Sequence, residues 1–164
     1  MIFVTVGTDQ PFDRMMKVVD RWAGEACRKD VFAQIGEGGW EPAHVPFVNF
    51  LEPVEFKTRF AQASLIIGHA GMGTILSALL HGKPILVMPK LARLGEHRNE
   101  HQTATAKRMM ALGNVNVAFD EEEMLQKLEV VETLKARHAI APYASGPLIE
   151  GLRNFIFEGK GTRP

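Results

Sequence analysis

Two hydrophobic periods alternate along this chain. Ile2-Phe3-Val4-Thr5-Val6 is a short, β-branched, apolar run and reads as a buried strand. Gly7-Thr8-Asp9-Gln10-Pro11 breaks it. Phe12, Met15, Met16, Val19, Trp22 and Ala23 then recur at offsets of three and four, one face of a helix. Asp9 is placed to cap that helix, with Pro11 in its first turn.

The alternation continues. Strands are predicted over residues 31–35, 45–51, 64–68, 84–88 and 115–119, the second of them weakened by Pro46. Helices are predicted over 54–63, 73–81, 100–112, 121–135 and 147–157. In the second of these Ile75, Leu76, Leu79 and Leu80 point inward. In the last, Leu148, Leu152, Phe155 and Ile156 share one face. Met15, Met16, Met109 and Met110 fall at helical spacing and read as core. The acidic run Asp120 to Glu123 suits a solvated helix start. Apolar strands alternating with helices imply an α/β, Rossmann-like, doubly wound parallel sheet covered on both faces. One domain over 1–158 is expected, with a frayed tail at 159–164.

Ligands of such sheets bind beyond the carboxyl ends of the strands. Gly68-His69-Ala70-Gly71-Met72-Gly73-Thr74 lies there, between a strand and a helix. Gly71 and Gly73 let backbone amides approach a ligand, and the helix points its free N–H groups at the same loop. A phosphate or diphosphate is the guest this arrangement suits, with Thr74 adding a hydroxyl. The alternative is a tight turn whose glycines serve packing. The run matches neither G-x-x-x-x-G-K-[ST] nor a full G-x-G-x-x-G, which weakens P-loop and dinucleotide readings. Gly7-Thr8 repeats the same strand-glycine-helix grammar.

Charge and composition narrow the classes. Nineteen basic residues balance nineteen acidic ones, so no nucleic-acid footprint is expected and anions must be held by local geometry. Hydrophobic residues make up 46%, enough for a core. A lone cysteine, Cys27, excludes an intrachain disulfide and suits a reducing compartment. No basic segment precedes the first strand and no apolar run spans a bilayer, so a cytoplasmic protein without leader or membrane helix is expected.

His69-Ala70-Gly71-Met72-Gly73-Thr74, Gly82-Lys83-Pro84-Ile85, Pro89 and Gly95-Glu96-His97-Arg98-Asn99-Glu100-His101-Gln102, taken in order, resemble the C-terminal domain of family 28 glycosyltransferases. The likeness runs from Val4-Thr5-Val6-Gly7-Thr8 to about Lys107. It is strongest to the small catalytic subunits of split UDP-sugar transferases, those of N-glycan lipid assembly and of bacterial exopolysaccharide synthesis. The resemblance implies the donor half of a GT-B enzyme, in which two Rossmann-like halves face a cleft. It places Gly7, Thr8, Gly71, Met72, Gly73 and Thr74 around the donor phosphates, His69 at the mouth, and the backbone of Leu51 near the uracil. It places Glu96, His97, Asn99 and Gln102 along the loop that meets the sugar. Where many members carry a ribose-binding acid, this chain has Ser77.

The implied reaction is inverting displacement at the anomeric carbon of a UDP-sugar without a required metal or other cofactor. The general base is expected on a membrane-anchored, acceptor-binding partner that presents a lipid-linked acceptor, with His69 the candidate on this chain. That partner would hold the protein peripherally at the membrane. Phe155, Phe157 and the stretch around Tyr143 are candidate docking residues. Two alternatives differ in class. One is a non-catalytic nucleotide-sugar-binding or regulatory module, which Ser77 favours. The remoter one is a zinc hydrolase, since His97-Arg98-Asn99-Glu100-His101 spells H-x-x-E-H. His44, His81 and His138 read as surface or structural, and Cys27 as unreactive.

Overall fold

The computed structural model describes residues 1–136 and 143–158. His138 and the tail at 159–164 lie outside the described residues. Six strands form one parallel sheet: β1 (Ile2–Thr5), β2 (Val31–Gln34), β3 (Phe47–Val48), β4 (Leu65–His69), β5 (Ile85–Met88) and β6 (Asn116–Val117). Their order is β3-β2-β1-β4-β5-β6. The chain therefore builds outward from β1 in one direction, then returns and builds outward in the other. The turning point lies between β1 and β4, where Thr5 is level with Gly68.

Strand alternation splits the core in two. Ile2, Val4, Ile67, Leu86 and Met88 face one side and pack under helices α1 (Asp13–Glu25) and α5 (Glu121–Glu129). Phe3, Ile66, Ile85 and Val87 face the other, under α2 (Pro53–Gln62), α3 (Met72–Leu80) and α4 (His101–Ala111). Both faces are covered, which is why the strands carry no polar face.

The predicted elements form, with informative differences. Helix α1 buries Met15, Met16, Val19, Trp22 and Ala23 as the periodicity requires. Asp9 does not cap it. The helix starts at Asp13, after Pro11, and its N-cap Phe12 has no side-chain hydrogen bond. The third strand shrinks to two residues because Pro46 has no N–H to give. Carbonyls alone continue the ladder: Pro46 accepts from Ala33 and Asn49 accepts from Gly36, each at 3.0 Å. In α3, Ile75, Ala78 and Leu79 are buried, whereas Leu76 and Leu80 are exposed. In α4, Met109 is buried and Met110 is not. A helix on a sheet buries a narrower stripe than every apolar position in it. The acidic run before α5 does more than meet solvent. Asp120 accepts from the Glu123 N–H and Glu123 accepts from the Phe119 N–H, both at 2.9 Å, a reciprocal cap. The helix predicted to continue to residue 135 ends at Glu129, and a separate 3₁₀ turn covers Val131–Thr133.

Among the described residues nothing covers the apolar face of the final helix α6 (Gly146–Glu158). Leu148, Leu152, Phe155, Ile156 and Phe157 are all exposed, as is Tyr143 before it. Among the described residues no helix is long and apolar enough to cross a membrane.

One buried carboxylate ties the first half together. Asp20 on α1 accepts N–H groups from Ala43 (3.1 Å), His44 (2.7 Å) and Val45 (3.0 Å). It holds the long β2–β3 connection against the helix and is 4% exposed. Asp20→Ala leaves three donors without a partner and should lower unfolding free energy by about 3 kcal/mol, read from urea denaturation. A loss below about 1 kcal/mol would show that water replaces the carboxylate without penalty.

Candidate functional site

The site begins with the ends of three strands. Thr5 closes β1; its hydroxyl donates to Gln34 Oε1 at 2.8 Å and accepts the Gly7 N–H at 3.3 Å. Gln34 closes β2, is buried, and donates to the Gly7 carbonyl at 3.1 Å. Both backbone groups of Gly7 are thus held, in a left-handed conformation with φ of +83°. Gln34 was not singled out in the sequence, because a glutamine ending an apolar strand carries no motif. Its one signal is a polar residue where the alternation calls for a buried one.

His69 closes β4 and turns its imidazole between two glycines. A Cβ on Gly7 would lie 2.6 Å from Cε1, and a Cβ on Gly71 would lie 2.2 Å from Nε2. The bareness of these two positions therefore makes room for the ring. The packing alternative holds for Gly71, which does not line the cleft. Gly73 differs: a Cβ there meets nothing within 4 Å. It sits in the first turn of α3, whose N-cap is Gly71 and has no side chain to satisfy the leading N–H groups.

Between these parts lies an open cleft of about 310 Å³, lined by Thr5, Gly7, Thr8, Gln34, Phe56, His69, Gly73, Thr74 and Ser77. It occupies the switch point of the sheet, the place where open α/β sheets bind ligands. Gly7, Thr8, His69, Gly73 and Thr74 are brought together as expected, and Ser77 joins them with a neutral hydroxyl. The Leu51 side chain packs in the core. Met72 is exposed and does not line the cleft.

None of the expected sugar-loop residues Glu96, His97, Asn99 and Gln102 lines the cleft, and their polar groups have partners within the chain. Glu96 takes both Arg14 Nε (2.7 Å) and Nη2 (3.0 Å). Gln102 is buried and accepts the Lys90 N–H at 3.1 Å. Asn99 accepts the His101 N–H at 3.1 Å, and His97 Nδ1 lies 3.2 Å from the Asn99 carbonyl. His97 precedes α4 while His101 opens it, so the two do not share a helix face. Among the described residues no three His, Cys, Asp or Glu side chains converge to hold a metal. The zinc reading loses the helical spacing it depends on.

Charge in the cleft is scarce. His69 is the one imidazole or carboxylate among the described lining residues. Burial pushes its pKa down to about 4, with the positive charges of Lys90 and His97 acting in the same direction and the Thr5 backbone opposing them. Its Nδ1 is buried and closes no hydrogen bond. Lys90, 1% exposed, donates from Nζ to the Gln10 carbonyl. Burial pushes Lys90 down to about 8 against the pull of Asp9 and Glu96.

Sheet order, switch-point crevice and uncapped helix define a Rossmann-like half-domain of the GT-B type. Residues 1–146 match the glycosyltransferase family 28 C-terminal domain, and the chain belongs to that family. Solved structures share the fold. ALG13, determined by NMR, superposes with a TM-score of 0.57 at 21% identity, over 92% of this chain and 93% of that one. MurG from Acinetobacter baumannii gives 0.57 at 18%, over 80% of this chain and 41% of its own. Os79 from O. sativa, in complex with UDP, gives 0.57 at 16%, over 80% and 31%. The chain spans well under half the length of the last two.

Two outcomes follow from the seating of His69. Gly71→Ala should cost about 2 kcal/mol of stability, because the ring must move. In a His69→Ala background the same change should cost at least about 1 kcal/mol less, measured as a double-mutant cycle; additivity would contradict the contact. The depressed pKa also sets a pH window. As pH falls, the unfolded chain protonates His69 near its ordinary value of 6.5, while the folded chain waits until about 4. Stability from this group is therefore complete above that window and falls by about 1.4 kcal/mol per pH unit within it. Chemical denaturation of His69→Asn across pH 4 to 7 should lack that slope.

Proposed function

We propose that this chain is a nucleotide-sugar-binding half-site that receives the diphosphate of a UDP-sugar at the switch-point cleft. The observation that carries the reading is the uncapped start of α3, with Gly73 open to solvent, facing the fixed Gly7–Thr8 turn across His69. Helix-terminal N–H groups and a turn of oriented amides suit a diphosphate without a metal. Thr8 and Thr74 add hydroxyls, and a neutral imidazole offers a proton without a standing charge. Os79 holds UDP on the same fold, which supports UDP as the nucleotide. Ser77, which lines the cleft, is assigned to the ribose as a neutral partner, and the backbone of Leu51 to the base.

The further reading is the catalytic subunit of an inverting transferase. The acceptor hydroxyl attacks the anomeric carbon and UDP leaves, its growing charge met by the same amides. Attack needs a general base, and the cleft offers only His69, neutral and largely buried. The base and the lipid-linked acceptor are assigned to a membrane-anchored partner, docked on the uncovered face of α6. The geometry supports binding further than transfer, because binding uses groups present in the cleft and transfer requires one from outside it.

Isothermal titration should detect UDP, UDP-N-acetylglucosamine and UDP-glucose, but not NADH. Gly73→Asp separates site from fold. An acid at a helix N-terminus stabilises the helix by about 0.5 kcal/mol, yet it opposes a diphosphate there. The variant should melt no lower than the parent and bind UDP at least a hundredfold more weakly. Unchanged UDP affinity would remove the cleft as the binding site. Transfer activity of this chain alone would contradict the external base.

A further inference from the structure

Glu96 lies in the loop that the family likeness assigns to the sugar, yet its carboxylate has no free oxygen for one. Oε1 accepts Arg14 Nε at 2.7 Å. Oε2 accepts Arg14 Nη2 at 3.0 Å and the Leu91 N–H at 2.8 Å. The side chains are 11% and 13% exposed, so the pair is largely shielded from water. A two-point guanidinium–carboxylate contact fixes orientation as well as distance.

The surrounding bonds turn this pair into a clamp. The Glu96 N–H returns to the Leu91 carbonyl at 3.2 Å, and Gly95 takes a left-handed φ of +72°, so residues 91–96 close into a knot. Arg14 Nη2 also donates to the Pro89 carbonyl at 3.0 Å, and Nη1 reaches Glu121 at 3.2 Å. From the β1–α1 loop, Gln10 accepts from Lys90 Nζ. With its amide nitrogen turned to the knot, Gln10 donates to the carbonyls of Gly95 (3.2 Å) and Glu96 (3.1 Å). That loop lines the cleft at Gly7 and Thr8 and grips the knot at Gln10. The knot leads directly into His97, which does not line the cleft but lies near enough for its charge to act on His69 there.

We infer that Arg14 is a positioning residue that sets donor-sugar recognition by holding the 91–96 knot, with Glu96 acting as its receiver rather than as a sugar ligand. The inference rests on the donor-site reading above. Arg14 touches no part of the cleft, so the phosphates, held at Gly7, Thr8, Gly73 and Thr74, do not depend on it. The sugar, which extends from the phosphates towards 97–99, does. Lysine cannot replace Arg14, because one ammonium cannot span both carboxylate oxygens and the Pro89 carbonyl in the same plane.

The test compares UDP with UDP-N-acetylglucosamine on the full chain, for the parent, Arg14→Lys and the double variant Arg14→Met/Glu96→Gln, which removes both members of the ion pair together. Both variants should weaken the UDP-sugar at least tenfold and shift UDP by less than threefold. Equal weakening of both ligands, or a lysine variant indistinguishable from the parent, would overturn the inference. Hydrogen exchange supplies a readout that needs no ligand. The Leu91 amide should exchange at least tenfold faster in Arg14→Lys while the β1 and β4 amides stay unchanged; unchanged Leu91 exchange would also overturn it. If the parent binds neither UDP ligand, the donor-site reading fails and the sugar role of Arg14 fails with it. The exchange result then decides the clamp alone.

Discussion

The imidazole of His69 occupies a space that exists only because two neighbouring residues have no Cβ. Its ring is fixed by Gly7 from one strand end and Gly71 from the helix start, so the loop after β1 and the loop after β4 are set against each other through it. The Thr5–Gln34–Gly7 bonds hold one side of that contact, and the β1–β4 register holds the other. Everything proposed for the cleft depends on this seating.

The cleft has two neighbours of different character. Towards α3 the groups are backbone amides and hydroxyls, uncharged and preorganised, which suits a ligand that brings its own negative charge. Towards the 91–96 knot the groups are ionic, and the charges are already matched within the chain. Free charge is thus withheld from the site on both sides. This agrees with a chain whose basic and acidic residues balance overall and whose one cleft imidazole is held neutral by burial. The described lining residues of the cleft supply neither a strong base nor a second charge.

Most of the fold was legible in the sequence, because buried parallel strands read as unbroken apolar runs and α1 shows its periodicity cleanly. What escaped depended on contacts between distant segments. Leu76, Leu80 and Met110 fit helical spacing but fall outside the stripe that the sheet covers, and spacing alone does not give the stripe its width. Asp9 has a capping residue's chemistry, but Pro11 and Phe12 delay the helix past its reach. At Gly71 the structure adds a contact that spacing does not give, since nothing local says that a histidine two residues earlier will fold back onto it. Gln34 and Arg14 carry no motif at all. Their partners lie 29 and 82 residues away, at Thr5 and Glu96, and only the folded chain brings them together.

The central claim is that one cleft, built around His69, receives the diphosphate. An NMR titration of the uniformly labelled chain with UDP addresses it most directly. The account predicts saturable shifts at the amides of Gly7, Thr8, Gly73 and Thr74, with a change at the His69 ring and little at α6 or around Arg28. Shifts centred elsewhere, or none at millimolar UDP, would contradict it.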